Sequence, residues 1–127
     1  MKLRFEKNSI RYRIKKSELL LLKENGFVKD EVAFPAATLT YELRIADVPA
    51  LLAEISNNNI CIHIPSPVAI SWMETDEVGI YHSLPIKGRE ALDIVIEKDF
   101  PCKDRPGEDK SDTFTELVDT GTAGKVC

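Results

Sequence analysis

The chain repeats one arrangement of apolar and polar residues fifty positions apart. Phe5-Glu6-Lys7-Asn8-Ser9-Ile10-Arg11-Tyr12-Arg13-Ile14 aligns with Ile55-Ser56-Asn57-Asn58-Asn59-Ile60-Cys61-Ile62-His63-Ile64. In each copy an alternating apolar run meets an Asn-containing turn and enters a second alternating run. Alternation at a period of two marks a half-buried strand, so each copy predicts a hairpin. Matched units can bury their apolar faces on each other, and this restricts the fold to arrangements that serve both.

The first hairpin sets Met1, Leu3 and Phe5 against Lys2, Arg4 and Glu6, then Ile10, Tyr12 and Ile14 against Arg11 and Arg13. Lys7-Asn8 suits the tight turn between them. Ser17 reads as a helix N-cap with Glu18 in the first turn, and Asn25-Gly26 as the end of that helix. Four consecutive leucines, Leu19 to Leu22, exceed one apolar stripe and predict a helix packed deeply on a sheet. Strands are expected around Phe27–Phe34 and over Leu39–Ile45. After Asp47-Val48-Pro49 the pattern restarts with Leu51, Ala53 and Ile55. Pro67 sits in the first turn of a second helix running through Trp72 and Met73, and Val78–Tyr81 and Ala91–Ile96 supply the last strands.

The fold class expected is therefore α+β: two ββαββ units forming a mostly antiparallel sheet or half-closed barrel with two helices. One domain spans residues 1–127, with a first unit at 1–49, a second at 50–99 and an acidic tail at 100–127. Thr113-Phe114 to Val118 is expected to add a strand or turn. The core is expected to hold Leu3, Phe5, Ile10, Tyr12, Ile14, Leu20, Tyr41, Leu43, Ile55, Ile60, Ile62, Ile64, Trp72, Ile94 and Ile96. At 43% hydrophobic and 30% charged, the 127 residues suffice for a core without disulfide or metal staples.

No apolar run reaches the roughly 20 residues of a membrane span, and the opening residues are too charged for a signal peptide. The 3 cysteines, Cys61, Cys102 and Cys127, form no CxxC pair and fit free thiols in a reducing compartment. The expected location is the cytoplasm. Net charge of −4 divides into +3 over residues 1–50 and −7 over residues 51–127. The basic start can attract an anion or an acidic partner, including the chain's own tail lying across the first hairpin. A pI of about 5.2 argues against nucleic acid.

Chemistry is sparse. Arg4, Glu6, Arg11, Arg13, Glu42, Arg44, Asp93 and Glu97 fall on the strand face opposite the core. In a closed barrel, Arg4, Arg11, Arg13 and Arg44 would form an anion site through forked guanidinium contacts; in an open sheet they are solvated. Cys61 and His63 form a Cys-x-His pair that would hold a soft metal with a third ligand from Cys102, His82 or the acidic tail; the alternative is a packed thiol beside a surface imidazole. The tail carboxylates Asp99, Asp104, Glu108, Asp109 and Asp112 lack the spacing and glycine of an EF-hand loop. Cys102 has no identifiable base nearby, and no Gly-rich phosphate loop occurs. No cofactor is implied.

A charged eight-stranded barrel with outer helices resembles the triphosphate-tunnel (CYTH-like) enzymes, whose barrels bind triphosphate with metal ions. This chain departs from their Glu-x-Glu-x-Lys opening, since Leu3-Arg4-Phe5-Glu6-Lys7 carries one glutamate. A second resemblance covers most of the chain. Lys2-Leu3-Arg4 through Asn8-Ser9-Ile10-Arg11-Tyr12-Arg13-Ile14 with Lys16-Ser17-Glu18, and Glu97-Lys98-Asp99-Phe100-Pro101-Cys102 continuing to Glu108-Asp109-Lys110-Ser111-Asp112, look like a family of small uncharacterised bacterial proteins. That resemblance implies no activity, and it makes the tail part of the fold. The expected function is non-enzymatic: a binding or interaction domain, taking a protein or a small anionic ligand and able to dimerise through a strand edge. The alternative is an anion-, polyphosphate- or metal-binding enzyme or sensor using the charged face.

Overall fold

The computed structural model describes residues 1–100. Its elements run β1 (Lys2–Glu6), β2 (Ser9–Ile14), α1 (Lys16–Asn25), β3 (Phe27–Ala33), β4 (Thr38–Ala46), β5 (Leu52–Ser56), β6 (Asn59–Pro65), α2 (Ser66–Glu74), β7 (Gly79–Leu84) and β8 (Leu92–Lys98). Cys102, the acidic tail and the strand expected at 113–118 lie outside the described residues.

The strands form two four-stranded sheets, β1-β2-β8-β7 and β3-β4-β6-β5, in place of one mostly antiparallel sheet. Among the described residues no ladder joins them into a half-closed barrel. Each sheet is mixed: the outer pairs are antiparallel hairpins, while β2 runs parallel to β8 and β4 parallel to β6 at the two centres. Each sheet draws one hairpin from residues 1–49 and one from residues 50–99. Neither half of the chain completes a sheet by itself.

The local signals explain the elements. Asn57 and Asn58 both take positive φ, 50° and 61°, the backbone of a tight hairpin turn that asparagine tolerates. Lys7 takes φ 52° at the equivalent tip. Asn8 donates from its side chain to the carbonyls of Glu90 and Ala91 at 3.2 and 3.1 Å, tying that tip to the approach to β8. Gly26 ends α1 with φ 81°, and its N–H donates to the Leu22 carbonyl at 2.9 Å, as expected of a glycine past a helix. The start differs from expectation. Lys15, not Ser17, is the N-cap, and its N–H donates to the Glu18 carboxylate at 2.9 Å. An acid at the third helical position is half of a capping box, and here it outweighs the serine.

The inward faces of both sheets and one face of each helix meet in a single core holding Tyr12, Ile14, Leu22, Leu43, Ile62, Ile64, Trp72, Ile94 and Ile96, all fully buried. Three expected core residues are not in it: Phe5, Ile55 and Leu20 are 58%, 75% and 55% exposed. Phe5 and Ile55 have the inward parity, but each sits next to a hairpin tip. Leu20 points away from the helix stripe that Leu22 anchors. Among the described residues no helix is long and apolar enough to cross a membrane.

Candidate functional site

The ladder register fixes which charged residues share a face. Lys2, Arg4 and Glu6 of β1, Arg11 and Arg13 of β2, and Asp93 and Glu97 of β8 lie on the outward face of the first sheet. Arg4 and Arg11 stand directly opposite each other, an arrangement that like charges disfavour. Acids relieve it: Arg4 lies 3.6 Å from Glu6 and Arg11 lies 3.4 Å from Glu97. Tyr81 also donates to Glu97, at 3.0 Å.

Arg44 is on the other sheet. There it extends over the Phe27 ring, 4.8 Å from the centroid, and donates to Glu42 at 3.1 Å. The structure thus brings Arg4, Arg11 and Arg13 onto one face and separates Arg44 from them. No interior encloses the four, so the tunnel arrangement is absent among the described residues. An open face bearing acid-paired guanidiniums is what the geometry offers.

At the centre of the second outward face, Glu42 is buried and fully engaged. It accepts from Arg44 on one oxygen and from Asn59 at 3.1 Å on the other, while Thr40 donates to Asn59 at 2.6 Å. A buried carboxylate needs such partners. Cys61 lies beside it, and burial, reinforced by the Glu42 charge, pushes the thiol up to about 11. At neutral pH it stays protonated, the wrong form for a nucleophile or a metal ligand. His63 follows two residues on along the same face, its Nε2 3.7 Å from Glu54. Among the described residues no three His, Cys, Asp or Glu side chains gather as metal ligands; of the third ligands considered, His82 is on β7 in the other sheet, and Cys102 and the acidic tail lie outside the described residues.

One polar atom in the core is unsatisfied. The Tyr12 hydroxyl has no partner among the described residues, and burial, with Cys61 adding to it, raises its ionisation well above that of an ordinary phenol. An orphaned buried hydroxyl costs roughly 1–3 kcal/mol. Tyr12→Phe is therefore expected to stabilise the protein by about 1 kcal/mol in urea unfolding. A loss of that size instead would reveal a hydrogen-bond partner.

The feature sequence reading missed is an edge. Among the described residues four strands border the sheets: β1, β7, β3 and β5. Natural edges carry charges that repel unwanted pairing. Lys2, Arg4 and Glu6 guard β1; Lys29, Asp30 and Glu31 guard β3, with Asp30 on the inward parity; Glu54 guards β5. Strand β7, Gly79-Ile80-Tyr81-His82-Ser83-Leu84, carries no Asp, Glu, Lys or Arg. His82 faces Ile94 in its ladder as Asp30 faces Tyr41 in the other, so β7 holds a histidine at the register position where β3 holds its guard. Tyr81 is 61% exposed, with Val78 and Ile86 exposed on either side of the strand. Gly79 shapes the edge: a Cβ there would lie 2.9 Å from both the Ile96 carbonyl oxygen and the Tyr81 hydroxyl, so only glycine lets Tyr81 fold back towards Glu97. The sequence signal was the run of six residues without a formal charge.

Comparison with protein-family models matches residues 1–117 to one described as a Family of unknown function (DUF7009). No curated protein and no solved structure matches.

Proposed function

The chain belongs to that family, whose description brings no activity with it, and we propose a non-enzymatic interaction domain that pairs strand to strand through β7. The occupant we assign is a second copy of the chain, set antiparallel about a two-fold axis. Two four-stranded sheets would then continue into one of eight strands. The observation behind this is the contrast among the edges: three carry formal charges and β7 carries none. Self-pairing of β7 sets no like charges against each other, and it covers Tyr81, Val78 and Ile86. Main-chain hydrogen bonds supply affinity in such strand addition, and two-fold symmetry makes the contact closed.

The test copies the guard of β3 onto β7. The natural chain is expected to be dimeric across a concentration series in light scattering, and His82→Asp to be monomeric with an unchanged far-ultraviolet spectrum. His82 is exposed, so the variant is expected to fold. A natural chain that is monomeric throughout, or a dimer that survives His82→Asp, overturns the proposal.

The same proposal includes an origin by duplication of a ββαββ unit, with hairpins exchanged between copies. Equivalent registers support it. Lys2 faces Arg13 as Leu52 faces His63, and Glu6 faces Ser9 as Ser56 faces Asn59. The Asp93 N–H donates to the Asn8 carbonyl as the Thr40 N–H donates to that of Asn58. Leu22 and Trp72, fifty residues apart, are the fully buried anchors of the two helices. The setting we assign is the bacterial cytoplasm, on the free Cys61 thiol and on the likeness to small bacterial proteins.

A further inference from the structure

The outward face of the first hairpin breaks a pairing rule twice. Lys2 stands directly opposite Arg13, and Arg4 directly opposite Arg11. Like charges facing each other across a ladder weaken it. The equivalent hairpin of the second sheet does without them: at the same registers it sets Leu52 opposite His63 and Glu54 opposite Cys61. The fold itself therefore does not require the block of cations. Acids nearby relieve it in part. Glu97 stands beside Arg13 in the ladder, yet its two oxygens are taken by Arg11 and Tyr81 at 3.4 and 3.0 Å. Lys2 and Arg4 reach Asp99 and Glu6 at 3.5 and 3.6 Å with their own side chains more than half exposed. Exposed ion pairs of this kind are worth little, and an incoming carboxylate can take their place.

We propose that the edge of β1 binds an extended peptide segment of another protein in which acidic and apolar residues alternate. The segment adds to β1 as a further strand of the first sheet, and main-chain hydrogen bonds supply affinity. Successive side chains of a strand point to opposite faces. On the outward side its carboxylates meet Lys2 and Arg4, with Arg11 and Arg13 in the row behind, and guanidinium forks suit such acceptors. On the inward side its apolar residues meet Phe5, 58% exposed despite its inward parity. Phe5 and Ile10 there line an apolar groove of about 180 Å³ with Ile55 and Leu92.

Charge selects this occupant. A second copy would bring its own four cations towards these, whereas an acidic strand turns the guard of this edge into a contact. The same side chains thus repel one partner and attract another. The inference is independent of the strand pairing at β7, which borders the opposite side of the same sheet. In a dimer joined at β7 both β1 edges remain open.

The experiment uses the full chain and a short fluorescent peptide alternating Glu and Val, followed by fluorescence anisotropy. The peptide is expected to bind, more weakly as salt rises, while a peptide alternating Lys and Val does not. Arg4→Ser with Arg11→Ser is expected to weaken binding about tenfold, and Phe5→Ser several-fold. Neither guanidinium is buried, so the double variant should keep its far-ultraviolet spectrum. Lys29→Ser, which removes an exposed cation from the β3 edge, should change nothing. Failure of the Glu-Val peptide to bind overturns the inference, as does binding that survives the double substitution or falls equally with Lys29→Ser. Displacement of the peptide by inorganic tripolyphosphate, with Phe5→Ser without effect, assigns the cations to a small polyanion and overturns it as well.

Discussion

Trp72→Ala is expected to cost about 3–5 kcal/mol of folding stability, the usual range for emptying a fully buried large aromatic site. Trp72 is fully buried in the middle of α2's packed face, and its indole N–H donates to the Val78 carbonyl at 3.1 Å. Lys98 lies over the ring, 5.9 Å from its centroid. Truncation would remove the largest side chain of the core and one of the two donors to the Val78 carbonyl, which keeps the Lys98 N–H at 3.0 Å. A domain holds about 5–15 kcal/mol in all, so the variant should retain a minor share of its stability. Urea unfolding followed by circular dichroism measures it, because the substitution removes the only tryptophan. Trp72→Phe keeps most of the packing and should cost clearly less. A loss under about 1 kcal/mol for the alanine variant is incompatible with the burial described.

Leu22→Ala carries the second large effect, about 2–5 kcal/mol, and its neighbour supplies the control. Leu22 has no exposed surface, while Leu20 is 55% exposed. With Leu20→Ala the methylenes lost were mostly in water, and the change should stay within about 1 kcal/mol. The same deletion two residues apart along one helix therefore separates burial from composition. Equal costs at the two positions would mean that α1 does not turn Leu22, in preference to Leu20, into the core.

The four leucines also show why only part of the fold was legible. A continuous apolar run carries no phase, so nothing in Leu19 to Leu22 says which member faces the core; Leu20 is the expected core residue and the structure buries Leu22. Strand alternation does carry phase. Tyr12, Ile14, Ile62, Ile64, Ile94 and Ile96 were all correctly placed inside. Parity says which side a residue faces but not whether anything covers that side, and Phe5 and Ile55 next to the hairpin tips have the right parity without the cover. Nor does it name the neighbouring strand, so the pairing of β2 with β8 was invisible locally.

The site divides in the same way. Arg4, Arg11 and Arg13 were readable as one face because they share a hairpin. Arg44 was assigned to them by parity alone, though it belongs to the other sheet. Cys61 and His63 share one side of β6, as alternation shows, but the Glu42 charge that adds to burial in raising the thiol comes from β4, nineteen residues earlier. The bare edge at β7 follows from composition once the sheet order is known, and not before.

Hairpin exchange also sets an order of events during synthesis. The second sheet comes from one continuous stretch, residues 27–65, and its strands can zip together while the remainder is still being translated. The first sheet joins the two extremes of the described chain, with Asn8 bonded to Ala91, 83 residues on. Its opening hairpin must therefore wait outside the ribosome with Tyr12 and Ile14 uncovered until β8 emerges. Conditions that slow elongation between residues 65 and 98 prolong that wait, and during it the nascent chain is most open to sticking to others of its kind.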